Sequence, residues 1–102
     1  MYKLTRRAAD DFAAIYDYTL LNFGEAQADR YTDGLEAFFQ RLSEMPDTGR
    51  EYPAIANVMR IEFQQHTVFY RVRDTDILII RILHQRMNQS RHLLPEAPQW
   101  PV

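Results

Sequence analysis

Three side chains in the C-terminal part of the chain have types and spacing that could do chemistry: Arg60, Arg81 and His84. Metal-free cleavage of RNA needs a base for the 2′-hydroxyl, cations for the phosphate and an acid for the leaving oxygen. Two arginines and a histidine could fill those roles. Each also has a plainer reading. Arg81 stands inside the apolar run 77–83, where an unpaired charge is costly. It therefore calls for a carboxylate, either Glu62 or Asp76 of its own chain or an acid brought by a partner, since arginine is favoured at interface hot spots. Arg60 repeats the pattern on a more peripheral strand. A histidine one residue past a strand, such as His84, more often bonds a backbone carbonyl than takes part in catalysis. Arg86, Met87, Arg91 and His92 follow with no carboxylate among them. Such cations either complement the end of a short helix or engage an acidic, partly apolar protein surface.

Other chemistries find little support. His66, His84 and His92 lack the close spacing of helical metal ligands, so no metal site is expected. Asp10, Asp11 and Asp17 fall on the polar flank of a helix and are expected to be solvated. There is no glycine-rich phosphate loop, nucleophile elbow or paired-carboxylate signature, and no cofactor is expected.

The 102 residues suffice for one domain with a buried core. The absence of cysteine excludes disulfides and thiolate metal sites and suits a reducing cytoplasm. No signal peptide or membrane span is evident. The formal net charge of −2 hides an asymmetry. Residues 1–59 carry ten acidic and six basic side chains, whereas residues 60–94 carry six arginines against Glu62, Asp74 and Asp76. Arginine forms two-pronged bonds to carboxylates or phosphates, which points to a specific contact surface. A nuclease working amid dense RNA phosphate should be strongly basic, and this chain is net acidic with Lys3 as its single lysine.

The elements that must position these residues follow from periodicity. Residues 2–4 form a brief extended start, and Thr5 is a good N-cap. Ala8, Phe12, Ile15, Tyr16, Thr19 and Leu20 recur at helical spacing until Phe23 and Gly24. Ala28, Tyr31, Leu35, Phe38, Phe39 and Leu42 mark a second helix, stopped at Met45 and Pro46. Gly34 inside it should cost about 1 kcal/mol relative to alanine, and close approach of the first helix would explain it. So short a connection implies an antiparallel helix hairpin. A loop over 46–57 precedes alternating strands at 58–64 and 66–73, then a turn at Asp74 and Thr75 and the buried run from Asp76. The expected fold is α+β: a helix hairpin on one face of a four-stranded, mainly antiparallel sheet, with the first strand beside residues 77–83. Residues 1–94 would form the domain, and 95–102 a proline-rich tail containing Trp100.

Residues two apart on a strand share a face. Placing Met59, Ile61, Phe63, Val68, Tyr70, Val72, Leu78, Ile80 and Ile82 under the helices leaves Arg60, Phe69, Arg71, Ile77, Ile79, Arg81 and Leu83 on the other side. Arginines interleaved with large apolar side chains would make a docking surface.

The segments LTRRAADDFAAIYDYT, FGEAQADRY, MPDTGREYP, VMRIEF, HTVFYRV and IRILHQRMNQSRHL occur in this order. With them the chain resembles, to about Leu94, the ParE branch of the RelE/ParE superfamily of toxins from type II toxin–antitoxin pairs. The resemblance implies an N-terminal strand, a helix hairpin, a three-stranded antiparallel meander and a short C-terminal helix or tail. It further implies neutralisation by a cognate antitoxin, ParD-like or another small one, and inhibition of DNA gyrase by binding, with growth arrest and plasmid stabilisation as outcomes. The RelE branch instead cleaves messenger RNA on the ribosome, and a toxin fold without activity is a third reading. On the first reading the antitoxin would meet Arg60, Phe69, Ile79, Arg81 and Leu83, or the hairpin groove of Tyr16, Leu20 and Tyr31. Gyrase would meet Arg81, His84, Arg86, Met87, Arg91 and His92. Neither catalytic residues nor direct nucleic-acid binding are expected, and oligomers would form through the antitoxin complex.

Overall fold

The computed structural model describes residues 1–87 and Leu93. Strand β1 (Tyr2–Leu4) leads through Thr5 into helix α1 (Arg6–Phe23). The Thr5 hydroxyl accepts from the Ala8 amide at 3.0 Å and donates to the Ile80 carbonyl at 2.8 Å. One side chain thus caps the helix and ties its start to the central strand. Gly24 alone joins α1 to helix α2 (Glu25–Glu44). Its φ of 92° with ψ of 169° is a conformation essentially confined to glycine, and its amide closes α1 on the Leu20 carbonyl. The expected antiparallel hairpin results.

After a 3₁₀ turn at Pro46–Thr48 come β2 (Arg50–Glu51), β3 (Met59–Phe63), β4 (His66–Val72) and β5 (Ile77–His84). The sheet order is β1-β5-β4-β3-β2. β1 runs parallel to β5 and every other neighbour is antiparallel. The sheet has five strands instead of the expected four, because Arg50 and Glu51 of the presumed loop pair with Arg60 and Met59.

The main core lies between hairpin and sheet. Ala8, Ile15, Leu35, Phe39 and Leu42 pack on Val68, Tyr70, Ile77, Ile79 and Ile82. Tyr70 is wholly buried; its hydroxyl donates to the Pro46 carbonyl at 2.7 Å and accepts from the Gly49 amide at 3.0 Å, pinning the loop after α2. Gly34 faces the sheet, not α1: a Cβ there would meet Phe63 Cζ at 3.5 Å, ordinary contact.

Register in β5 departs from simple alternation. Tyr70 pairs with Ile79 but Phe69 pairs with Arg81, so Ile80 is an extra residue. Such a bulge switches faces along the strand. Ile77, Ile79 and Ile82 face the helices, whereas Ile80 and Leu83 join the opposite side. Leu78 and Ile80 therefore do not lie under the hairpin as strict alternation predicts. Nor is the opposite face open. Tyr52, Val58, Phe69 and Leu83 form a second buried cluster there, flanked by Ile55, Ile80 and Leu93. The segment between β2 and β3 folds back over the sheet and removes that apolar surface from water.

Candidate functional site

Arg81 is the charge that the apolar strand must accommodate. Its Nε and Nη2 donate to Asp11 at 2.8 and 3.1 Å, a two-pronged pair in which both side chains are about 15% accessible. Asp11 Oδ2 also accepts from the Ile82 amide at 2.9 Å. The bulge takes Ile80 out of register, and a carboxylate one turn and a half into α1 bonds both the cation and an amide beside it. The expected partners Glu62 and Asp76 are engaged elsewhere: Glu62 lies 3.6 Å from Arg50, and Asp76 takes two bonds from Arg73. Asp11 is correspondingly not a solvated flank residue. The available signal was the buried arginine itself, combined with the placement of α1 across the strand beside β1.

His66 and His84 face each other across β4 and β5, with ring centroids 5.3 Å apart. Tyr31 of α2 bonds His66 Nδ1 at 2.6 Å, and the Arg86 amide donates to His84 Nδ1 at 3.1 Å. An amide can only donate, so it takes up the Nδ1 lone pair of His84. Burial, aided by the neighbouring His84, lowers the His66 pKa to about 4, so it stays neutral at pH 7. Burial raises the Tyr31 pKa. The pair was missed as a pair because 18 residues separate the two in sequence. Among the described residues no three His, Cys, Asp or Glu side chains converge.

The remaining candidates fall into three groups. Phe69, Ile79 and Leu83 are buried within the two cores, so the expectation that they form an open antitoxin surface is corrected. Arg60 is half-buried on β3, its guanidinium over the Tyr52 ring at 5.9 Å. On the hairpin, Tyr16 donates to Asp29 at 2.9 Å, Leu20 is exposed, and Tyr31 is half-buried against Phe63. Exposed Tyr18, Leu21 and Phe23 extend the apolar surface around the end of α1. Beyond β5, Arg86 and Met87 are exposed, and the Gln85 side chain donates to the Gln64 carbonyl. Arg91, His92 and residues 95–102 lie outside the described residues. No described helix is long and apolar enough to cross a membrane.

Residues 2–89 match the family model described as the ParE toxin of the type II toxin–antitoxin system parDE. A curated relative, Toxin ParE1 of Caulobacter vibrioides, is 38% identical over 93 residues, covering 90% of this chain and 96% of that protein. Toxin ParE1 of Mycobacterium tuberculosis is 33% identical over 94 residues, with the same shares covered. Among solved structures, a chain from "Chromosomal ParDE TA system from P. aeruginosa" superimposes with a TM-score of 0.71 at 26% identity. That match covers 81% of this chain and 92% of the other. With its strand, hairpin and meander in the same order, this chain belongs to the ParE family of type II toxin–antitoxin toxins.

Proposed function

We propose that the chain arrests growth by binding DNA gyrase and is neutralised by a small ParD-like antitoxin that wraps onto it. The family match over residues 2–89 is the observation that carries this reading. Binding is favoured over RNA cleavage by how the candidate catalytic groups are used. Arg81 is clamped by Asp11, and His84 Nδ1 is occupied by a backbone amide. Neither group is poised as a phosphate clamp or a base with a vacant lone pair at Nδ1. The net charge of −2 also disfavours a ribosomal RNA substrate. The exposed end of the hairpin around Leu20 suits a wrapping antitoxin, and Arg86 and Met87 at the end of β5 suit an acidic, partly apolar protein surface. The proposed site of action is the cytoplasm, where gyrase acts.

The test is a gyrase supercoiling and cleavage assay with the purified chain, run beside a translating ribosome with messenger RNA. Inhibition with trapped DNA breaks, relieved by antitoxin and weakened by Arg86→Ala with Met87→Ala, supports the reading. Messenger cleavage abolished by His84→Ala, with gyrase untouched, replaces it by the nuclease.

A further inference from the structure

Five arginines lie on strands β2 to β5 or in the tight turn between the last two: Arg50, Arg60, Arg71, Arg73 and Arg81. Three of them reach a carboxylate: Arg50 lies 3.6 Å from Glu62, Arg73 pairs with Asp76 and Arg81 with Asp11. Arg60 and Arg71 do not. The Arg60 guanidinium stands over the Tyr52 ring and makes no hydrogen bond or ion pair among the described residues. Exposed Arg71 makes none there either. A half-buried guanidinium that uses none of its five donors inside the chain gains little stability from its position beyond the ring contact. Register brings the two cations together. Arg60 pairs with Phe69, so Arg71, two residues on, is its diagonal neighbour on the same face, with Cβ atoms about 7–8 Å apart. Beside them the segment between β2 and β3 borders a groove of about 580 Å³, where Arg71 meets Tyr52, Pro53, Ile55 and the half-exposed Val72. Glu51 is on the rim as well, but it pairs with Met59, which packs on the helix-side core, and makes no ion pair with Arg71.

Resting on the gyrase reading above, we propose that this groove binds an acidic, partly apolar segment of the target protein. It is a second contact, separate from Arg86 and Met87, which lie beyond the opposite end of the β4–β5 pair. Two guanidinium groups at this separation take two neighbouring carboxylates, each by a two-pronged bond. Pro53, Ile55 and Val72 then receive the apolar side chains beside those acids. Other occupants fit less well. A second copy docked face to face here would bring the same cations against each other. A phosphate chain gains nothing from an aliphatic groove and meets Glu51 on its rim. The helix hairpin covers the other face of the sheet, so a partner seated on the helices leaves this groove clear.

Arg71→Glu in the full chain tests this, read as the concentration that half-inhibits gyrase supercoiling at low and high salt. That concentration should rise about tenfold or more at low salt and by less at high salt. Arg60→Gln with Arg71→Gln, which removes charge without reversing it, should shift it in the same direction. The thermal midpoint and the calorimetric affinity for antitoxin should stay at parental values in Arg71→Glu, because Arg71 has no polar partner inside the described chain; a merely structural role would move the midpoint. Half-inhibition within about twofold of the parent in both variants overturns the inference, while inhibition by the parent leaves the gyrase reading intact. A parent chain that does not inhibit gyrase overturns both. Antitoxin affinity lost in Arg71→Glu assigns the groove to the antitoxin, and a labelled DNA duplex bound by the parent but not by Arg71→Glu assigns it to phosphate; either result overturns the inference.

Discussion

Replacing Asp11 with alanine should be among the most damaging single changes in the protein. The carboxylate takes three bonds, from Arg81 Nε, Arg81 Nη2 and the Ile82 amide, and Ile82 is only 3% exposed. Removing one partner of a buried ion pair costs about 3–5 kcal/mol. Both side chains here keep some contact with water, which favours the lower end. Orphaning the amide adds about 1 kcal/mol. A total of about 3–4 kcal/mol is a large share of the 5–15 kcal/mol typical of a domain, and corresponds to a fall of roughly 15–25 °C in Tm. Asp11→Asn keeps an acceptor for the amide but not the charge, and should lose about half as much. Urea unfolding followed by circular dichroism measures both. A cycle with Arg81→Met should show the double change costing clearly less than the sum of the singles. A loss below about 1 kcal/mol in Asp11→Ala, or strict additivity in the cycle, would refute the assignment. The same geometry governs Arg81→Ala: it strands Asp11, so any loss of antitoxin affinity must be read beside the variant's own stability.

Stability should also depend on His66. Its folded pKa of about 4 lies below the ordinary 6.5, so the unfolded chain binds the proton first. Stability is therefore full above pH 6.5 and falls as pH drops toward 4; allowing for the ring's partial exposure, the loss is on the order of 1–2 kcal/mol, flattened in His66→Asn. Urea midpoints at pH 7 and 4.5 decide it. Two glycines should respond with opposite signs. Gly34→Ala should stabilise α2 by up to about 1 kcal/mol, since the new methyl meets Phe63 at an ordinary 3.5 Å. Gly49→Ala should destabilise by about 1–3 kcal/mol, because its Cβ would lie 2.8 Å from the Arg60 carbonyl and run into the Tyr70 hydroxyl. Thermal melts of the two variants settle the signs. Tyr70→Phe, which orphans the Gly49 amide, should cost about 1–2 kcal/mol by urea unfolding.

The hairpin was legible because its signals are local. Thr5 caps α1, Gly24 ends it, and Met45 with Pro46 ends α2, as the spacing predicts. The neighbour of β1 was legible too, since a buried strand needs partners on both edges. What escaped was one residue. With the tight turn pairing Val72 and Ile77, uninterrupted register would set His66 opposite Leu83; the bulge at Ile80 sets it opposite His84. A bulge leaves no mark in an all-apolar run such as 77–80, where either alternation looks hydrophobic. The reversed faces of Ile77 and Ile79, the unsuspected histidine pair and the Asp11 contact all follow from it. The second core was hidden for another reason. Tyr52, Ile55 and Val58 lie in a segment rich in turn residues, and chain that crosses a sheet as loop carries no period to read.

The parallel pairing of β1 with β5 has a consequence for how the protein comes into being. Tyr2 finds its neighbour at Ile77, and Thr5 bonds to Ile79 and Ile80, across some three quarters of the 102-residue sequence. As synthesis proceeds from the N-terminus, the helix hairpin can form early from contacts close in sequence. Its apolar face then has no sheet to lie on until the strand ending at His84 is complete. The contact order of the central pairing is therefore high, and the closing step should be the slow one. In that interval the nascent toxin presents a greasy helical hairpin and no finished surface. A partner that grips the hairpin could engage it before the fold, and with it the toxic form, exists.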